Sequence, residues 1–152
     1  MDIIFKLAQP ADAELLMQLM REYCAFDHLP FDEQTRRRTY GQFLGDESQG
    51  RLWLILSEGA PVGYLILTFG FSFEYGGRDA FLDEVYLCEP HRGRGIGKRA
   101  IDFAEKQCRA LGVGALHLEV KRENTNAHAL YRQVGFIEHD RYLLTKHIPP
   151  FS

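Results

Sequence analysis

The chain has 152 residues, 45% hydrophobic and 26% charged, with a formal net charge of −3. That is the size and make-up of one globular domain over residues 1–152; folding at this length withdraws roughly 70% of the unfolded surface from water. The charge balance argues against a surface built to hold nucleic-acid backbones.

Cys24, Cys88 and Cys108 are odd in number and form no CxxC pair. They exclude a disulfide framework and fit a reducing, cytoplasmic setting. The start, MDIIFKLAQPADAE, has no signal-peptide pattern, and no apolar run approaches the roughly 20 residues that span a bilayer, so no membrane role is expected.

In chain order, Ile3 to Leu7 reads as a short strand. Pro10 and Asp12 then open a helix whose apolar positions Leu15, Leu16, Leu19, Met20 and Tyr23 follow the helical period. Cys24 to Phe31 is a break containing Pro30. A second, more polar helix is expected from about Asp32 to Leu44, with Arg36-Arg37-Arg38 as its wet face. Arg51 to Ser57 and Val62 to Phe71 are strands joined by the hairpin signal Glu58-Gly59-Ala60-Pro61, apolar on both faces as in a covered sheet.

After a turn at Tyr75-Gly76-Gly77-Arg78 comes a strand, Phe81 to Leu87. A glycine-rich segment then leads into a helix whose face is Ile96, Ala100, Phe103, Ala104, Cys108 and Leu111, stopping at Gly112. Strand Ala115 to Val120, helix Thr125 to Val134 and strands near Phe136–His139 and Tyr142–Lys146 complete the pattern. Alternating strands and helices predict an α/β fold with a mixed sheet.

The chemistry concentrates in Phe81-Leu-Asp-Glu-Val-Tyr-Leu-Cys-Glu-Pro-His-Arg-Gly-Arg-Gly-Ile-Gly97. Gly93, Gly95 and Gly97 permit conformations and close approaches that a Cβ obstructs. No proline interrupts His91 to Lys98, so each backbone N–H is available there. A loop entering a helix N-terminus collects unpaired donors and the positive end of the dipole, which suits a pyrophosphate. Arg92, Arg94, Lys98 and Arg99 add charge. The Walker loop fails at Arg99, and the dinucleotide fingerprint fails at Lys98.

Arg92-Gly-Arg-Gly95-Ile-Gly97 does fit R/Q-x-x-G-x-G/A. Asn124-Thr-Asn-Ala127-His-Ala-Leu130-Tyr131-Arg-Gln-Val-Gly135-Phe136 fits N-x-x-A-x-x-L-Y-x-x-x-G-F. With this motif pair and element order, the chain resembles the GNAT N-acetyltransferases. The resemblance implies a twisted mixed sheet of six or seven strands flanked by about four helices, splayed between Phe81–Leu87 and Ala115–Val120. It implies acetyl-CoA as co-substrate, an amine as acceptor and, as the family's common habit, a homodimer.

By the same resemblance, backbone amides from about Arg92 through Gly93, Arg94, Gly95, Ile96 and Gly97 to Lys98 hold the pyrophosphate. Tyr86-Leu87 pair with pantetheine, and Asn124 bonds the cofactor arm. Tyr131 lies near the sulfur and protonates the thiolate, a task suited to a phenol of pKa about 10. The rival for Tyr131 is core packing, since Ala127, Leu130, Tyr131 and Val134 share a helical face.

Asp83 and Glu84 stand where family members often carry the base that deprotonates the amine. Adjacent strand residues face opposite sides, so one of the two looks into the cleft; Glu84, being longer, reaches further. A structural salt bridge is the competing role for either. The histidines form no HExxH or close ligand pair, so no metal is expected. The resemblance also implies an acceptor site shaped by the first two helices and their connection, here Phe26, Asp27, His28, Phe31, Asp32 and Glu33, with Phe71, Phe73, Glu74 and Tyr75; acids among aromatics suit a small cationic amine, and a protein N-terminus or lysine, or an aminoglycoside-like amine, stays open as acceptor. The alternative from another class is an acyl-CoA-binding sensor or interaction module without turnover.

Overall fold

The structure, a computed structural model, describes residues 1–150. In chain order it comprises β1 (Ile3–Leu7), α1 (Ala13–Phe26), α2 (Glu33–Leu44), β2 (Gly50–Ser57), β3 (Ala60–Ser72), β4 (Gly77–Leu87), α3 (Ile96–Ala110), β5 (Ala115–His117) and α4 (Thr125–Gln133). Short 3-10 turns precede α1 at Pro10–Asp12 and follow β4 at Glu89–His91. The strands form one mixed sheet in the order β1-β2-β3-β4-β5, antiparallel except for the parallel β4–β5 pair.

Local chemistry accounts for most boundaries. The β2–β3 hairpin turns on Glu58 and Gly59, both at positive φ, the geometry that matches strand twist in a two-residue loop. Ala60 and Pro61, expected in the turn, already belong to β3. Helix α3 ends where Gly112 takes a left-handed φ of +72°.

The sheet is covered on both faces, which explains strands that are apolar on both sides. One face packs Leu65, Leu67, Ala80 and Leu82 against Ile96, Ala100, Ile101, Ala104 and Cys108 of α3. The other packs Leu52, Leu54, Tyr64, Ile66 and Tyr86 against Leu16, Met17, Leu19 and Met20 of α1 and Tyr40 of α2.

Two expectations require correction. Five strands, not six or seven, are present among the described residues: Phe136–His139 and Tyr142–Lys146 run without strand pairing. Ile137, Tyr142, Leu143 and Leu144 there are largely exposed. The strand expected over Ala115–Val120 is confined to Ala115–His117. The physical reason is shared: strand propensity expresses itself only against a partner, and a three-residue edge strand offers little edge to extend.

The divergence of β4 from β5 is present. Pairing covers Asp79↔Ala115, Ala80↔Leu116 and Phe81↔His117 and stops there, leaving Leu82 to Leu87 with no partner on the β5 side. Here, where the sheet opens, the glycine segment and both strand carboxylates lie.

Candidate active site

A register shift between Ile66 and Leu67 places Glu84 opposite Ile66 and Leu82 opposite Leu67, so Asp83 is the extra residue of a bulge in β4. The bulge breaks strict alternation. Leu82 packs toward α3, whereas Glu84 and Tyr86 both turn toward the helices α1 and α2.

Glu84 is already engaged. Its Oε1 accepts from Arg36 Nη1 at 2.9 Å and from the Tyr64 hydroxyl at 2.8 Å. The Arg36 and Glu84 side chains are 22% and 13% exposed, and Tyr64 is fully buried. The Arg36-Arg37-Arg38 run is therefore not simply a wet face: Arg36 points inward, while Arg37 pairs with Glu14 and Glu33. The available signal was spacing, since Arg36 lies one turn before buried Tyr40 on the same helix.

Asp83 accepts no hydrogen bond among the described residues and is exposed at the opening. Its carboxyl is pushed above the ordinary aspartate range by surrounding protein that desolvates it, then by the Glu84 carboxylate, with Arg36 opposing and Glu119 adding a smaller push. Nearby, burial raises the Tyr23 hydroxyl, helped by Glu84, Asp27 and Asp83. Asp27, Asp83, Glu84 and Glu119 thus form an acidic surround, in which Arg36 pairs with Glu84 and Lys121 with Asp27. The sequence reading missed Tyr23, Tyr64 and Glu119 there.

The glycine segment runs from the Glu89–His91 turn into α3. Gly93 and Gly95 have φ of +76° and +80°, and Gly95 is the N-cap of α3. Among the described residues, none of the backbone N–H groups from Gly93 to Lys98 finds an acceptor; the first helical bond is Arg99 N–H to Gly95 O at 3.2 Å. The Ile96 side chain is buried against the sheet. A Cβ at Gly97 meets nothing nearer than Leu130 Cδ2 at 3.9 Å, so protein packing does not require glycine there. Arg94 and Lys98 have no ion-pair partner among the described residues.

Arg92 lies outside that run. Its N–H donates to Glu89 O at 3.1 Å and its Nε to Leu87 O at 2.8 Å. Its guanidinium lies 4.2 Å from the Phe26 ring centroid and 5.6 Å from that of Tyr86. The Leu87 side chain packs on the α3 face and Tyr86 on the opposite face. His91, in the turn, has a buried Nδ1 without a partner among the described residues.

The remaining expected residues are placed as follows. Asn124 is the N-cap of α4, its Oδ1 accepting from Ala127 N–H at 3.3 Å, a capping role the sequence reading overlooked. Tyr131 packs edge-on to Phe136 at 5.9 Å, in the apolar cluster that also holds Val85, Leu87 and Leu118 from the two sides of the opening. Burial raises its hydroxyl pKa. It lines a groove of about 960 Å³ between β5 and residues 134–143, which neither strand carboxylate nor the glycine segment borders.

The expected acceptor residues divide into two groups. Phe26 and Asp27 end α1 beside the opening, and Asp27 meets Lys121 Nζ through its carboxylate at 3.3 Å and its carbonyl at 2.7 Å. Tyr75 packs against His117 with ring centroids 4.8 Å apart and planes tilted by 58°, and Glu74 pairs with Arg141 at 3.1 Å, both at the far end of β4. Among the described residues no three His, Cys, Asp or Glu side chains group as a metal site, and no helix is long and apolar enough to cross a membrane.

The family model described as the acetyltransferase (GNAT) family matches residues 14–136. An uncharacterized N-acetyltransferase of Bacillus subtilis is 37% identical over 90 residues, covering 59% of this chain and 56% of that protein. The chain thus spans little more than half the length of that relative. Among solved structures, an integron cassette protein from the mobile metagenome of Cole Harbour Salt Marsh superposes with a TM-score of 0.84 at 33% identity, over 96% of this chain and 91% of that one. An aminoglycoside N-acetyltransferase in complex with CoA superposes at 0.82 over 96% and 95% of the two chains, with 14% identity, a likeness of fold alone.

Proposed function

The chain belongs to the GNAT acetyltransferase family, and from that premise we propose that it transfers the acetyl group of acetyl-CoA directly to a small cationic amine. One observation carries the reading: among the described residues the backbone N–H groups from Gly93 to Lys98, at the start of α3, have no acceptor. Such a run, with the positive end of a helix dipole behind it, matches a pyrophosphate. The aminoglycoside acetyltransferase with CoA shares this fold.

The acceptor side is read from charge. Asp27, Asp83 and Glu119 gather near the opening, with Arg36 and Lys121 as partly offsetting cations. An ammonium is favoured there, and it must lose a proton before its nitrogen can attack, because alkylammonium pKa values lie near 10. Of the two strand carboxylates we assign the base to Asp83. Glu84 is held by Arg36 and Tyr64, whereas Asp83 is open, and its raised pKa brings it toward a working base.

In the proposed step the amine nitrogen attacks the thioester carbonyl carbon, the C–N bond forms and the C–S bond breaks. Of the two protons the ammonium loses overall, one leaves through Asp83 to solvent. The other, lost from nitrogen after attack, returns to Tyr131 through solvent and replaces the proton that its hydroxyl gives to the departing sulfur, so the products are an amide, the CoA thiol and one released proton. Tyr131 is protonated at neutral pH, since burial raises its pKa. Purified protein, acetyl-CoA and a panel of mono- and polyamines test the reading. Acceptor-dependent thiol release is expected; CoA binding without turnover on any amine would instead favour an acyl-CoA sensor.

A further inference from the structure

We propose that Arg92, the first residue of the phosphate-loop motif, is a positioning residue that clasps Phe26 and thereby couples the cofactor loop to the C-terminal end of α1. The inference rests on the loop's reading as the CoA site and adds a residue from outside the motif to it.

Arg92 is not arranged to meet a phosphate. Its amide is spent on Glu89, its Nε on Leu87, and its guanidinium lies against Phe26 and Tyr86. These contacts fix the point from which Gly93 departs at φ +76° into the run of free N–H groups. A donor array binds an anion well only when it is held in place beforehand, so the clasp supports the array without joining it.

The other half of the clasp is unusual for its exposure. Phe26 is the last residue of α1 and 55% exposed, yet its ring carries the guanidinium at 4.2 Å. The next residue, Asp27, is fastened to Lys121 from the segment after β5. The end of α1 therefore spans the opening, held to the loop side by Phe26 and to the β5 side by Asp27. Any ligand that steadies Arg92 also steadies Phe26, and by linkage the reverse holds.

The test measures CoA binding by calorimetry without an acceptor. A cation–π contact of this exposure predicts that Phe26→Leu weakens CoA by about three- to tenfold, while Phe26→Tyr, which keeps the aromatic face, binds within about twofold of wild type. In an Arg92→Ala background Phe26→Leu is expected to add nothing, because the pair is already broken. Hydrogen exchange supplies a second readout. CoA should slow exchange of the Asp27 and Leu29 amides in wild type and not in Phe26→Leu. Equal affinity for wild type and Phe26→Leu, equal losses for Leu and Tyr, or additive losses with Arg92→Ala would each overturn the clasp. Failure of the wild-type protein to bind CoA at all would overturn the reading of the loop itself, and the coupling with it.

Discussion

Arg36 and Glu84, 48 positions apart, meet at 2.9 Å between α2 and β4, and the Tyr64 hydroxyl completes the group from β3. Three elements are thus pinned at the point where the sheet opens. Removing one partner leaves a largely buried charge unpaired, so Arg36→Met should cost about 2–3 kcal/mol in urea unfolding. The triple variant Arg36→Met/Glu84→Met/Tyr64→Phe should recover most of that loss, because it replaces the charges and also removes the buried Tyr64 hydroxyl that Glu84 alone accepts from among the described residues. A triple variant no more stable than Arg36→Met would mean that the guanidinium contributes through packing, not charge.

Asp83 carries a pH signature in both stability and rate. Its folded-state pKa is raised, so the ionised form is disfavoured on folding and the group destabilises above its folded pKa. Asp83→Asn should therefore stabilise the fold near pH 7. That gain should shrink as pH falls through the raised pKa and vanish below the ordinary aspartate value. In rate, turnover should fall as pH drops through the same pKa, and Glu84→Gln, by removing a like charge, should move that limb to lower pH. A limb unmoved by Glu84→Gln would remove Asp83 from the role of base.

How far the sequence discloses this site depends on whether a feature is local. The glycine segment is local: residue type, proline-free spacing and the following helical period are enough to place free amides at the start of α3. The Asp83 bulge is not, because strict alternation along β4 assigns the two carboxylates to opposite faces and only the pairing with Ile66 and Leu67 reveals the extra residue. Arg36 escaped notice for a similar reason. A run of three arginines reads as solvated until Tyr40 is known to be buried beside it. The C-terminal segment errs in the other direction: its apolar alternation reads as strand, but β5 ends at His117 and supplies no ladder.

The phosphate loop predicts a graded glycine series. Gly95→Ala forces a side chain into φ +80°, costing about 1–2 kcal/mol of stability, and should reduce CoA affinity by at least about tenfold by displacing the loop. Arg94→Gln, which removes charge and leaves the amides in place, should lose less. Gly97→Ala lies in helical backbone with open space around it and is expected to stabilise the helix by up to about 1 kcal/mol. The motif admits alanine there, so CoA binding should persist. Calorimetry and thermal melts on the three variants check the order, and a larger CoA loss for Arg94→Gln than for Gly95→Ala would make charge the main determinant.

Tyr131 separates catalysis from packing most sharply. Its ring packs against Phe136 and the apolar cluster on the α3 side, and among the described residues its hydroxyl makes no hydrogen bond. Tyr131→Phe therefore preserves every contact the fold uses and deletes one O–H. Stability and CoA affinity should stay at wild-type values. If the hydroxyl protonates the departing thiolate, turnover should fall by about 10²–10⁴-fold, the range for a general acid. The loss should be smaller with an acetyl thioester whose thiol has a lower pKa, because a better leaving group needs less proton donation. Unchanged turnover in Tyr131→Phe would assign the residue to the core alone. The thiolate would then leave unassisted or take its proton from solvent, and the groove beside β5 that Tyr131 lines would have no part in the chemistry.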